Sequence, residues 1–275
     1  SYLTLGNFLL GGLIVSNVFF IAGLFIFFEL IKKKYDSKTA AWSTIFLLTF
    51  PTSFYFGSVY TEGLFFFLVI FYFYLLESKK PLFASTVGAA ASFTRLIGII
   101  LAASLLVKPK IKNFLFALVI LCGLLAYVLY LKLEFNNPFY FLTSQTAFGQ
   151  ERSTRDIVLL PQVIYRYLKI FITTSGQPLI NAVFEFFTTT FAIGVLIAGY
   201  KKIPREWFLF SIISILVPTL TGTLASMPRY VLLAFPVFII LAQIKSLALK
   251  ITIAVIFAIL LLISTAFFTR GYWVA

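Results

Sequence analysis

Residues 82–107 read LFASTVGAAASFTRLIGIILAASLLV, apolar and small side chains around one guanidinium, Arg95, with Lys79 and Lys80 before them and Lys108, Lys110 and Lys112 after. How this stretch is threaded decides the fold. A single crossing of a membrane would put the two lysine groups on opposite faces, and every later basic cluster would change sides with them. A reversal near Arg95 instead puts the clusters at 32–38, 79–80, 108–112, 201–205 and 245–250 on one face. All lysines but Lys132 and Lys169 then lie there, 13 of 15, as the bias of basic loops toward the cytoplasm requires. The sequence therefore predicts a re-entrant helical pair over 82–107, each arm about 12 residues and roughly 18 Å long, with the turn accommodated at Thr94 and Gly98. One tilted helix is the alternative threading.

The rest of the chain sets the medium. Hydrophobic residues make up 61% of it and aromatics 19%, against 11% charged, and the apolar runs reach the roughly 20 residues that span about 30 Å of hydrocarbon. No stretch alternates apolar with polar over about ten residues, which argues against a lipid-exposed barrel. The expected fold is an all-α polytopic membrane protein, a single domain over 1–275, with spanning helices at 7–31, 39–57, 60–76, 113–133, 178–200, 207–226, 229–244 and 251–269 beside the re-entrant pair. The segment 134–177 is then an outer loop, in which IVLLPQVIYRYLKIF (157–171) has the composition of a helix lying in the membrane interface. The net charge of +13 is spread over short lysine clusters between apolar runs, a topological pattern rather than a nucleic-acid footprint. One cysteine, Cys122, excludes a disulfide framework, and the absence of histidine excludes Ser-His triads and imidazole metal sites. Carboxylates remain as the conventional bases.

Two kinds of charge then stand out. In the hairpin threading Arg152, Arg155, Arg166, Arg229 and Arg270 lie on or near the outer face and Arg95 points toward it, while Arg205 alone is inside. Guanidinium forms forked hydrogen bonds to phosphate, which lysine does not, so an outer recess for a phosphate-bearing lipid fits this separation; interfacial arginines holding headgroups are the plainer reading for the loop residues. An Arg at the depth of Arg95 should face protein or a wet cavity. Glu62, in GSVYTEGLFFFL (57–68), is placed roughly 7 Å below the outer boundary, where a carboxylate faces the bundle or a pocket, aided by the dipole of its helix. A helix-start carboxylate with Thr61 as its cap is the bland alternative. Pro51 should bend the preceding helix beside Thr49, Thr52 and Ser53. Glu185 is a second buried carboxylate, with Thr188 and Thr189 at helical spacing as its expected partners.

Four stretches are similar to one family. FPTSFYFGSVYTEGLF (50–65) resembles the P-x-x-F…Y-[ST]-E-x-L-F signature of the PIG-V type GPI mannosyltransferases and their prokaryotic relatives, and ASFTRLIGI (91–99) its TR-x-x-G segment. NNPFYFLTSQTAFGQ (136–150) resembles its outer-loop motif, and MPRYVLLAFPVFI (227–239) its PRY…FP helix. The resemblance implies a class C glycosyltransferase fold and a polyprenyl- or dolichyl-phosphate sugar as donor, mannose by analogy, used on the outer or lumenal face of the membrane. It implies Tyr60, Arg95, Gln145, Arg229 and Tyr230 as substrate-binding residues and Glu62 as the acid in the site, positioning donor or acceptor. The family's aromatic-Asp segment has no counterpart here, so the main acidic residue is expected upstream of Ser1. No metal ligand set and no cofactor beyond the donor are expected. The partners implied are the lipid-phosphate sugar, membrane lipids and a glycan, lipid or protein acceptor, in a prokaryotic plasma membrane or, in a eukaryote, the endoplasmic reticulum. A transporter or flippase of a lipid-linked substrate and a noncatalytic subunit of a glycosylation complex are the competing functions.

Overall fold

A computed structural model of the protein describes residues 6–144 and 157–274. Every regular element among them is helical. Helix α1 (Phe8–Lys34) starts where the Asn7 side chain accepts the Leu10 N–H and ends in Lys32, Lys33 and Lys34. Helix α2 (Ser37–Thr49) is capped by Asp36, whose carboxylate accepts the Thr39 N–H at 2.8 Å and the Thr39 hydroxyl at 2.7 Å. Pro51 has no N–H to continue the ladder, and the chain resumes only as one turn, α3 (Phe54–Gly57), before α4 (Glu62–Glu77). The carbonyls at this break find side chains from α1: the Ser16 hydroxyl donates to Phe56 O at 2.9 Å and the Asn17 amide to Gly57 O at 3.2 Å.

Helix α4 ends at a left-handed Lys79, with the N–H groups of Lys79 and Lys80 closing back onto Leu76 and Leu75, the usual reciprocal C-terminal cap. Pro81 then opens α5 (Pro81–Thr94), a 3₁₀ turn follows at Leu96–Ile99, and α6 (Ile100–Leu106) runs back. Gly98 shows why the turn is so tight: a Cβ there would lie 2.5 Å from the Ala91 carbonyl carbon. At the other end Pro81, Leu105 and Lys108 line one cleft with Glu77 and Glu206. The two ends of the 82–107 stretch are therefore neighbours, and Arg95 sits at its far tip.

Beyond it come α7 (Ile111–Phe135), the single turn α8 (Tyr140–Thr143), α9 (Leu160–Thr173) and α10 (Gln177–Gly199), continued by a 3₁₀ turn to Lys202. Helices α11 (Arg205–Thr219), α12 (Met227–Leu233), α13 (Pro236–Ala242) and α14 (Leu247–Thr269) complete the bundle. Its core is aromatic: Phe27, Phe73, Trp207 and Phe235 pack ring against ring at centroid distances of 5.3–6.2 Å.

This is an all-α, multi-pass membrane protein, but the count of eight uniform spans needs correction. Four described helices are long and apolar enough to cross alone: Phe8–Lys34, Ile111–Phe135, Gln177–Lys202 and Leu247–Thr269. The other four predicted spans are short or broken. The stretch 39–57 divides at Pro51 and 229–244 at Pro236, while α4 and α11 hold 16 and 15 residues, about 24 and 22 Å at 1.5 Å per residue. The apolar composition could not reveal this, because core and lipid demand the same side chains.

The basic stretches gather at one end of the bundle. Lys34 pairs with Glu77 at 2.5 Å, Lys108 with Glu206 at 2.8 Å, and the Tyr35 hydroxyl donates to Lys202 O at 2.9 Å. Lys250 lies 5.6 Å from the Trp42 ring in α2. Glu62 and Glu77 occupy opposite ends of α4, so the lysine-rich end and the Glu62 end are about 24 Å apart.

Candidate functional site

Three broken elements converge at the end of the molecule away from the lysines. Glu62 stands in the first turn of α4, where the helix dipole favours an anion. Thr61 occupies the N-cap position but makes no side-chain cap bond, so Glu62 is not explained by capping. Its neighbour Gly63 lets α4 press against α1, since a Cβ there would sit 2.4 Å from Ser16 O. Arg95 comes from the hairpin tip, in extended backbone between α5 and the 3₁₀ turn. Arg229 is held in the first turn of α12, and the Thr52 hydroxyl from the Pro51 break ties that turn down by donating to Pro228 O at 3.0 Å.

The three side chains meet on one atom. Arg95 Nη1 donates to Glu62 Oε1 at 2.6 Å, and Arg229 donates to the same oxygen through Nη2 at 2.5 Å and Nε at 3.1 Å. Glu62 is completely buried, whereas the Arg95 and Arg229 side chains keep 18% and 14% exposure. Among the described residues, Oε2 of Glu62 has no hydrogen-bond partner, and two cations meet one anion here, a formal charge of +1.

Aromatic rings surround the two guanidiniums. The Arg229 guanidinium carbon lies 4.3 Å from the Tyr55 ring centroid and 4.6 Å from that of Tyr60, and Arg95 lies 5.8 and 5.9 Å from Phe65 and Tyr230. Such faces hold a cation without neutralising it. Tyr55 is fixed in turn by the C-terminal tail: its hydroxyl donates to Val274 O at 2.6 Å. The tail reaches it because Gly271 takes a left-handed conformation (φ 81°) and the Gly271 and Tyr272 N–H groups close onto Phe268 and Phe267.

Of the residues singled out in the sequence, Glu62, Arg95, Arg229, Tyr60 and Tyr230 thus share one site. Gln145 lies outside the described residues, as do Glu151, Arg152, Arg155 and Asp156. Arg166 stands apart from the cluster, donating to Gly222 O at 3.2 Å, and Arg270 is exposed beyond the end of α14. Glu62 itself is fully buried and accepts hydrogen bonds from both arginines. Tyr55 was not legible as a site residue, because the break after Pro51 folds it back over Arg229.

Glu185 has a different partner from the one its spacing suggested. Tyr167 of α9 donates to Glu185 Oε2 at 2.6 Å and accepts the Leu224 N–H at 2.9 Å, while the Thr189 hydroxyl goes to the backbone oxygen of residue 185. Two carboxylate-centred sites therefore flank the 222–229 stretch. Among the described residues no group of three or more His, Cys, Asp or Glu side chains is arranged to hold a metal ion. No family model, no curated protein and no solved structure matches this chain.

Proposed function

We propose that the Glu62–Arg95–Arg229 recess binds the phosphate of a polyprenyl- or dolichyl-phosphate sugar at the outer or lumenal face, and that the protein is a membrane glycosyltransferase acting on that donor, mannose being the sugar its motifs resemble. The observation that carries this reading is the unbalanced charge. One guanidinium would suffice to tie α4 to a neighbour; a second, taken largely out of water beside the first, costs several kcal/mol on the order of the effective penalty for a buried ion. A phosphate recovers that cost through charge-assisted, forked hydrogen bonds. The aromatic flanks support it, since they leave the guanidinium edges available.

The surroundings fit a lipid donor. Beside Tyr60 an apolar groove of about 460 Å³ runs between the outer ends of α1 and α4, lined by Gly11, Gly12, Val15, Val59 and Leu64, and an isoprenoid chain lies there while its phosphate reaches Arg229. In this reading 82–107 is a re-entrant pair, the lysine end is cytoplasmic and the arginine recess opens outward. The acceptor hydroxyl oxygen bonds to the anomeric carbon as the bond from that carbon to the phosphate oxygen breaks. The electron pair leaves with the phosphate, whose charge Arg95 and Arg229 stabilise, and the hydroxyl proton passes to the phosphate monoester or to water.

The test uses purified protein in native lipid with polyprenyl-phosphate mannose and a membrane extract as the acceptor source. Sugar transfer is expected, and Arg229→Ala should lower it about 10²–10³-fold, the usual effect of removing one preorganised donor to developing charge. Unchanged transfer by Arg229→Ala and Arg95→Ala would reject the site; substrate movement without transfer would favour a flippase. Sidedness has its own check: with Cys122 replaced, cysteines placed at Lys33 and Lys110 should label from the same face, and labelling from opposite faces would remove the re-entrant pair.

A further inference from the structure

The cleft at the base of the 82–107 hairpin measures about 310 Å³ and lies between the end of α4, the two hairpin arms and the start of α11. Phe73, Leu76, Leu105 and Trp207 give it apolar walls, and Lys79 and Lys108 stand among them with Glu77 and Glu206. Both acids are engaged: Lys34 pairs with Glu77 and Lys108 with Glu206. The other two acids of this end are engaged as well, Glu29 by Lys32 and Asp36 by the cap of α2. Thirteen lysines and Arg205 stand here against those four acids, so the end is strongly positive. Among the described residues the Lys79 ammonium has no ion-pair partner. Its backbone is also unusual. Lys79 holds the left-handed position that closes α4 (φ 58°), where glycine is the common residue because a Cβ is strained there. A loop's charge bias would be served equally by a lysine at an unstrained position, so this one calls for something its ammonium meets.

The cleft lies where hydrocarbon gives way to charge. The next residues along the hairpin arms, Leu82 and Phe83 on one and Leu106 on the other, are 55%, 63% and 46% exposed, as side chains against acyl chains are. Lys79, Lys80, Lys108 and Lys110 beside them are exposed too. A ligand that suits both has an anion at headgroup level and a hydrocarbon chain next to it, and basic pockets between helices at the cytoplasmic side take acidic lipid headgroups in this way. An ammonium carries three N–H donors, so Lys108 keeps two beyond its bond to Glu206. Inorganic phosphate alone would leave the apolar walls in water. A zwitterionic headgroup would bring a further cation to a surface that is already positive.

We propose that this cleft binds the headgroup of an anionic phospholipid from the leaflet at the lysine-rich end. Lys79 and Lys108 hold its phosphodiester, and an acyl chain lies along the exposed apolar residues of the hairpin base. The lipid joins the end of α4 to the hairpin and to α11, where among the described ion pairs only Lys108 and Glu206 link hairpin and α11. The site stands at the opposite end of α4 from Glu62 and does not rest on the transferase reading; its lipid is distinct from the sugar donor.

The experiment titrates the delipidated full chain, in an uncharged detergent, with dioleoyl phosphatidylglycerol and with dioleoyl phosphatidylcholine, and counts bound lipid by native mass spectrometry. Arg229→Gln protein is measured beside wild type, so that lipid held by the arginine recess is told apart from lipid held here. One phosphatidylglycerol should bind both proteins, more tightly than phosphatidylcholine, and millimolar inorganic phosphate should not displace it. Lys79→Gly and Lys108→Ala should each weaken that binding about fivefold, the usual weight of one lysine at an anionic membrane surface. Lys245→Ala, at the same end but outside the cleft, should leave it unchanged. Lys79→Gly should also raise the thermal midpoint measured without lipid, because glycine relieves the left-handed position; weaker binding by a more stable protein is then no folding defect. Equal binding of the two lipids, wild-type binding by Lys79→Gly, or a loss in Lys245→Ala as large as in Lys79→Gly would overturn the proposal. So would displacement by inorganic phosphate, which marks a soluble-anion site, or loss of the bound lipid in Arg229→Gln, which places it in the recess.

Discussion

The uninterrupted helices and the broken ones divide the labour of this protein. Helices α1 and α14 each bury only 11% of their most apolar window inside the bundle, and their side chains face outward along most of their length. Helix α13 by contrast buries all seven of its residues, and α4 buries ten, Glu62 among them. Both classes are rich in Phe, Leu and Ile. What separates them is continuity. A long helix satisfies its own backbone and can stand in hydrocarbon; a broken one exposes carbonyl and N–H groups that must be met by protein. The breaks at Pro51, Arg95 and Ser226 are met in this way, and each one delivers a residue of the recess: Tyr55, Arg95 and Arg229. Ser226 is itself held at a positive φ of 66°, a conformation that non-glycine residues keep only where the surroundings enforce it.

Substitutions in the two classes should therefore differ in kind. The largest effect is expected at Glu62, where Glu62→Ala leaves two partly buried guanidiniums facing each other; loss of one partner of a buried pair costs about 3–5 kcal/mol, read as a lower thermal midpoint in detergent. A midpoint equal to wild type would show that the cluster is hydrated and loosely held. Next comes Gly98→Ala, which drives a methyl group into the Ala91 backbone; overpacking of this kind costs about 1–3 kcal/mol and should shift the hairpin tip. A cysteine cross-link or distance label across Arg95 and α12 would register the shift, and an unchanged distance would mean that the tip is not what sets the recess.

At the lysine-rich end the effects are smaller. Burial works to raise the Glu206 carboxyl, but the Lys108 hydrogen bond, its own backbone N–H and the nearby lysine charges outweigh it and hold the group below the usual carboxylate range. A depressed carboxyl stabilises the fold above its unfolded value of about 4.3 and loses that contribution as pH falls through the folded value. With Lys108 72% exposed, the pair contributes under about 1 kcal/mol. Lys108→Ala should accordingly lower stability at pH 7 by under about 1 kcal/mol, a difference from wild type that fades as pH falls below about 4; a larger loss at pH 7 would place this end among the structural anchors. The smallest effect is expected on the lipid side, where Leu262→Ala, 71% exposed on α14, should fall within about 0.5 kcal/mol. A cost as large as that of Gly98→Ala would mean that α14 packs against something beyond this chain.

The sequence made part of this legible for a physical reason. Charge in an apolar chain is expensive, so Glu62, Arg95 and Arg229 announced themselves by standing where hydrocarbon was expected, and the lysine clusters announced one common end. Pro51 and Gly98 likewise declared their bends. The spans were harder to read. A window of Phe and Leu in α13 is indistinguishable by composition from one in α14, and only the packing tells that the first is sealed in protein. Tyr55 was illegible beside Arg229 among 14 tyrosines, because its place depends on where the break after Pro51 folds the chain back. Glu185 was visible as a buried acid, but Tyr167, which donates to its carboxylate, lies on another helix rather than one turn along its own.

The central claim is that the surplus positive charge of the recess exists to hold a lipid-borne phosphate, and binding of polyprenyl phosphate without any sugar tests it most directly. Native mass spectrometry of the protein released from micelles should show one polyprenyl phosphate bound, with affinity falling at least tenfold in Arg95→Gln and in Arg229→Gln and remaining unchanged in Arg270→Gln. Equal binding by all four proteins, or binding of the uncharged polyprenol as tight as of its phosphate, would contradict the account.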